Sequence, residues 1–157
     1  MPAEEMTAAP DRPDTPDTRP VPPATRRPRA SLWALRVSAL LHTVLIAAQP
    51  VLAGRYLAGD VDAITMHEIN SHLVTTVGWV QIIAAVTYVW RGRGRAWPLV
   101  LSIVLAVCEE TQKVLGYVRL ADLHIPFGVT LLVIQVLLTI WLFGPGARRT
   151  RPAKEPT

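Results

Sequence analysis

The sequence predicts an all-α protein: a four-helix, up-down-up-down transmembrane bundle with a disordered N-terminal tail. Three observations predict it. Half of the residues are hydrophobic and mean hydropathy is +0.29, yet residues 1–30 hold eight prolines and almost no large apolar side chain. The apolar residues are therefore concentrated elsewhere, in runs at 32–53, 73–90, 97–118 and 125–143. Each run has about the 17–25 residues a helix needs to cross a bilayer, and none shows the wide polar face of a soluble bundle helix. Finally, the basic residues cluster at alternate ends of these runs.

Residues 1–30 cannot bury enough apolar surface to offset the entropy of ordering, and are expected to be a disordered cytoplasmic tail. Helix 1 follows, with Ser31 as a candidate cap. Its apolar run is longer than the core of a secretory signal and contains His42, so it reads as a membrane span, not a cleaved leader. Helix 2 opens through "MHEINSH", residues 66–72. The short "RGRGRAWP" loop makes helices 2 and 3 antiparallel neighbours, with Pro98 in the first turn of helix 3, where a missing N–H costs little. Helix 3 is the least apolar, because it contains "CEETQK". A short connection leads to helix 4, with Asp122 as candidate cap and Pro126 near its first turn. The four helices form one domain, 31–143, and residues 144–157 a basic cytoplasmic tail.

The net charge of +4 and a pI near 9.8 are explained by topology, so no nucleic-acid partner is inferred. Arg26, Arg27, Arg29 and Arg36 flank the start of helix 1; Arg91, Arg93 and Arg95 lie between helices 2 and 3; Arg148, Arg149, Arg151 and Lys154 follow helix 4. The other two loops carry only Arg55 and Arg119. The positive-inside rule then places both termini in the cytoplasm of a plasma-membrane protein. Trp33, Trp90, Trp97 and Trp141 fall at the inner interface, Tyr56 and Tyr117 at the outer one. The one cysteine, Cys108, excludes an intramolecular disulfide and reads as a small buried residue.

Polar residues inside a bilayer are costly and should face the bundle interior. Each helix carries one stripe of polar and small residues at helical spacing. In helix 1 it is Ser38, His42, Leu45, Gln49 and Ala53; in helix 2, His67, Ser71, Val74, Gly78, Gln81 and Ala85. In helix 3 it is Ser102, Leu105, Glu109, Gln112 and Gly116; in helix 4, His124, Gly128, Leu131, Gln135 and Leu138. Depth sorts the polar members into two layers. Gln49, His67, Glu109, Gln112 and His124 are expected near the outer end, and His42, Ser102, Gln81 and Gln135 deeper. His72 lies about 140° around helix 2 from His67, so the two cannot both face the centre; His67 shares the Gly78 and Gln81 face and is the interior residue. Glu68 and Asn70 read as polar groups at the helix mouth. Glu110 is expected to pair with Lys113, leaving Glu109 for the interior.

His67 and His124 lie on diagonal helices, roughly 12–14 Å apart if neighbouring axes are about 8–10 Å apart. That gap suits a planar macrocycle with one axial imidazole from each side; bare zinc or copper wants three or four close ligands. "HEINS" resembles the histidine motif of the haem A synthase family, whose four-helix halves place a glycine four residues after the histidine; here Ser71 takes that position. "ETQKVLGYVRLADLHIPFGV" is similar to the same family's pattern at Gln112, Gly116 and His124. The chain also resembles a family of small bacterial four-helix membrane proteins of unknown function. As a single half-length unit, it is expected from the resemblance to bind haem rather than modify it. The expected site is therefore a b-type haem ligated by His67 and His124, with Gln49, Glu109 and Gln112 around it, serving electron transfer to a redox or membrane-protein partner. Two alternatives stay open: a non-catalytic structural or accessory subunit, and a proton or small-solute pathway through Glu109, His42 and the glutamines. No nucleophile–base constellation or phosphate loop points to an enzyme.

Overall fold

A computed structural model describes residues 30–149, so the expectations for residues 1–29 and 150–157 fall outside the described residues. Four helices run α1 Ala30–Leu57, α2 Asp62–Trp90, α3 Trp97–Tyr117 and α4 Ala121–Phe143, followed by a short 3-10 helix, Pro145–Arg148. No strand occurs among the described residues. Each helix packs against its two neighbours in a square: α1 on α2 and α4, and α3 on α2 and α4. The two diagonals, α1 to α3 and α2 to α4, meet mainly through side chains. The end carrying the start of α1, the α2–α3 loop and the end of α4 is called the near end below; the end with the α1–α2 and α3–α4 turns is the far end.

Helices α1, α2 and α4 are each long and apolar enough to cross a membrane. Helix α3, 21 residues, runs the same layer beside α2 and α4, its hydropathy lowered by Glu109, Glu110 and Lys113. Burial is inverted relative to a water-soluble bundle. Leu40, Val44, Val80, Ile83, Val104, Val107, Val133 and Ile140 are exposed, while Arg36, His42, Gln81, Ser102, Glu109 and Gln135 are buried. Apolar flanks around a polar centre suit hydrocarbon as the surrounding solvent, where every polar group must find its partner inside the protein.

The near half has an apolar core. Leu32, Leu35, Ala39, Ala84, Ala85, Tyr88, Leu105, Leu138 and Leu142 form its core. Arg36, placed by sequence among the basic flank of helix 1, is buried instead: its Nε donates to the Leu142 carbonyl at 2.8 Å, and its guanidinium lies over the Trp33 and Phe143 rings. It thus satisfies a carbonyl of the last turn of α4, which no intrahelical donor reaches. Tyr88 donates its hydroxyl to the Ala147 carbonyl at 2.9 Å and fixes the 3-10 helix against the bundle.

The expected caps are not formed. Ser31 lies inside the first turn of α1, and Asp122 lies inside the first turn of α4, whose cap is Leu120. Asp122 still sits where the helix dipole favours a negative charge.

Candidate functional site in the bundle interior

The stripes converge as their spacing requires. Val74, Gly78, Gln81 and Ala85 of α2, Ser102, Leu105 and Glu109 of α3, and Leu131, Gln135 and Leu138 of α4 are buried. His67, Gln49, Gln112, His124 and Gly128, nearer the far end, are half-buried. His72 is exposed, in agreement with its place 140° from His67.

At the far end the imidazoles of His67 and His124 face each other across the α2–α4 diagonal, ring centres 6.3 Å apart and planes inclined by 57°. Each is held by a backbone carbonyl of a third and fourth helix. His67 Nδ1 lies 3.2 Å from the Gln49 carbonyl oxygen of α1. His124 Nδ1 lies 2.9 Å from the Gln112 carbonyl oxygen of α3, and Gln112 Nε2 donates back to the His124 carbonyl at 2.6 Å. A carbonyl can only accept, so the Gln112 carbonyl favours the neutral His124 tautomer with its hydrogen on Nδ1 and its lone pair on Nε2, and the Gln49 carbonyl favours the same tautomer of His67. The Gln49 side-chain amide turns its nitrogen to the His67 carbonyl at 3.2 Å, and that nitrogen also lies 3.0 Å from His67 Nδ1 as a second, competing partner of the ring. Gly116 and Gly128 permit this packing: a Cβ at Gly116 would lie 3.0 Å from His124 Cε1, and one at Gly128 2.7 Å from Gln112 Nε2.

One helical turn nearer the centre, Asn70 is buried rather than at the mouth, and donates to the Leu45 carbonyl at 2.8 Å. Glu68 stays exposed and accepts from the Tyr117 hydroxyl at 3.2 Å. Lys113 pairs with Glu110 at 2.8 Å, as the helical spacing requires.

Glu109 does not join the histidine pair. It belongs to the central layer, where its Oε1 lies 3.1 Å from His42 Nε2 across the α1–α3 diagonal. The reason is depth. His42 lies twelve residues into α1 and Glu109 twelve into α3, and both helices rise from the near end at the same pitch. The other face of His42 meets an amide network. His42 Nδ1 lies 3.0 Å from Gln81 Oε1, Gln81 Nε2 donates to Ser102 Oγ at 3.0 Å and to Gln135 Oε1 at 3.3 Å, and Gln135 Nε2 donates to Gln81 Oε1 at 2.9 Å and to the Ala39 carbonyl at 3.1 Å. Ser102 Oγ passes its own hydrogen to the Pro98 carbonyl at 2.8 Å. All four helices are joined through one buried polar layer.

No protein-family model, curated protein or solved structure matches the chain. The interior geometry alone therefore carries the functional reading. Among the described residues no group of three or more His, Cys, Asp or Glu side chains is placed to hold a metal ion. The far-end pair consists of two imidazoles, His67 and His124.

Proposed function

We propose that this chain is a small membrane protein that holds a b-type haem between His67 and His124 and serves electron transfer. The observation that carries the reading is the pair itself: two half-buried imidazoles from diagonal helices lie with ring centres 6.3 Å apart, each with a backbone carbonyl at Nδ1 that favours a free lone pair on Nε2. Histidines that bind metals are oriented by such a bond on the other ring nitrogen. Spacing is consistent. An imidazole nitrogen binds a first-row metal at about 2.0–2.1 Å, so two imidazoles holding one metal between them would have ring centres about 6 Å apart. Ordinary aromatic pairs also fall at about 4.5–7 Å, so spacing is permissive and the carbonyl contacts at Nδ1 add support.

A two-ligand site favours a metal whose remaining positions a macrocycle fills over a bare ion that needs more protein ligands. The one cysteine, Cys108, lies in α3 beside Glu109, away from the histidine pair, so the haem is held without a thioether link. When bound, haem supplies one-electron redox chemistry. The protein's part is to fix two imidazoles, to seal one side with lipid-facing helices, and to set the charge nearby. Gln49 and Gln112 orient the ligands through their carbonyls. Arg119, exposed at the α3–α4 turn of the same end, is available to a carboxylate at the mouth, whereas Arg55 is engaged by Asp60 at 2.6 Å. The arginines at the near end support a reading in which the histidine end faces the outer side of the plasma membrane.

The test is the absorption spectrum of the full chain, purified in mild detergent from cells supplied with haem precursor. A Soret band that moves on reduction is expected. Its absence, both as isolated and after haem addition, overturns the proposal.

A further inference from the structure

We infer that His42 and Glu109 form a one-sided proton-loading site at the centre of the bundle, exchanging a proton with the far end only. The inference rests on counting hydrogens. Gln81 Nε2 donates to Ser102 and to Gln135, so the orientation of its amide is fixed and its oxygen faces His42. His42 Nδ1 must therefore carry the hydrogen. Nε2 then faces Glu109 Oε1 at 3.1 Å, in a contact bent away from straight hydrogen-bond alignment. A bare imidazole nitrogen and a bare carboxylate oxygen at that distance would oppose two lone pairs. One proton must occupy the gap, whichever atom holds it.

A second proton has a place as well. Glu109 Oε2 is buried and accepts no hydrogen bond. One turn further along α3, towards the far end, Gln112 Oε1 is buried and equally unfilled, while its Nε2 is committed to the His124 carbonyl. Such orphan acceptors cost free energy until a donor arrives. Uptake transfers a proton from a hydronium ion, leaving water, to Glu109 Oε2. The proton already present settles on His42 Nε2, and the pair goes from net neutral to net positive. Release reverses both transfers. Gly78 keeps the carboxylate its space, since a Cβ there would lie 3.1 Å from Glu109 Oε2.

The route has one mouth. Towards the far end the orphan oxygens lead to Gln112 and the half-buried layer around His124. Towards the near end the layer is packed by Leu35, Ala39, Leu105, Leu138 and Leu142, and the hydroxyls among them, Ser38, Ser102, Tyr88 and Thr139, already donate to backbone carbonyls. Other charges are remote or neutralised. Helix α2 presents Gly78 and Gln81 to the pair, and the nearest polar groups of α4, Gln135 and Thr139, bond to Gln81, Thr43 and the Ala39 carbonyl; all are uncharged. On α1, Arg36 is turned to the Leu142 carbonyl; on α3, Lys113 is paired with Glu110.

Infrared difference spectra between acid and alkaline buffer, on the full chain in lipid nanodiscs, test the site. A protonated-carboxyl band is expected, lost in Glu109→Gln, kept but displaced in Glu109→Asp, and unchanged in Glu110→Gln. A band that survives Glu109→Gln overturns the assignment. If that variant does not fold, histidine nitrogen NMR of a His67→Gln, His72→Gln, His124→Gln triple variant, which keeps only the His42 ring, decides: the inference requires Nδ1 always protonated and Nε2 gaining a proton in acid, and a ring protonated only on Nε2 refutes it. Vesicles under an imposed potential test the single mouth. Proton entry equal to protein-free vesicles is expected, and a flux abolished by Glu109→Gln would make the route a through-path instead.

Discussion

Replacing Gln81 by leucine should destabilise the bundle more than the same change at Gln135, although both amides are buried and lie in one layer. Gln135→Leu removes three contacts: Nε2 to the Ala39 carbonyl, and the two exchanged with Gln81. Each former partner keeps another bond. Gln81 still donates to Ser102 and accepts from His42, and the Ala39 carbonyl still accepts from Thr43 and Thr139. Interhelical hydrogen bonds in membrane proteins average about 0.6 kcal/mol, so the loss is about 2 kcal/mol. Gln81→Leu removes four contacts and also strands the His42 Nδ1 hydrogen, which has no other acceptor. An orphaned buried donor adds about 1–3 kcal/mol, for a total of about 3–5 kcal/mol. The double variant should cost about 1 kcal/mol less than the sum, because the two amides share two of these bonds. Equilibrium unfolding in mixed micelles, titrated with dodecyl sulfate and followed by circular dichroism, measures all three. Equal losses, or a larger one at Gln135, would refute the tautomer assigned to His42 and the network built on it.

Other outcomes follow from the same contacts. Gly128→Ala would bring a Cβ to 2.7 Å from Gln112 Nε2 and displace the side chain that holds His124; haem affinity should fall by about 10–100-fold, the usual effect of losing a ligand's support, as read by a haem titration. Glu68→Gln, exposed and bonded only to Tyr117, should leave stability within about 0.5 kcal/mol of wild type in the same unfolding assay. Substituting Arg36 by methionine removes the donor from the Leu142 carbonyl and should speed hydrogen exchange in the last turn of α4 while sparing the His67–His124 end, as read by mass spectrometry.

Much of this architecture is legible in the sequence because the membrane simplifies the problem. Apolar runs must be helices, and polar residues within them must face inward, so spacing alone separated His67 from the exposed His72 and assigned Lys113 to Glu110. The errors are those of a three-dimensional count made in one dimension. Glu109 was expected beside His67 and His124, but equal rise from the near end brings it to His42. Both helices begin at Trp-containing segments of the same interface, so that register was available in the sequence. Asn70 was read as a mouth residue, yet a first step of three from His67 puts it on the interior stripe above Val74. Arg36 was not legible: its burial depends on where α4 ends, and on the Leu142 carbonyl that only the folded bundle brings to it. The carbonyl contacts of His67 and His124 were equally beyond the sequence, since both carbonyls belong to other helices.

The claim that the histidine pair is a haem site is tested most directly by stoichiometric haem titration of the purified chain and three alanine variants. The account predicts saturation at one haem per chain for the wild type and His72→Ala, and loss or displacement of the Soret band for His67→Ala and His124→Ala. A wild-type chain that binds no haem, or one whose spectrum is indifferent to both substitutions, would contradict it.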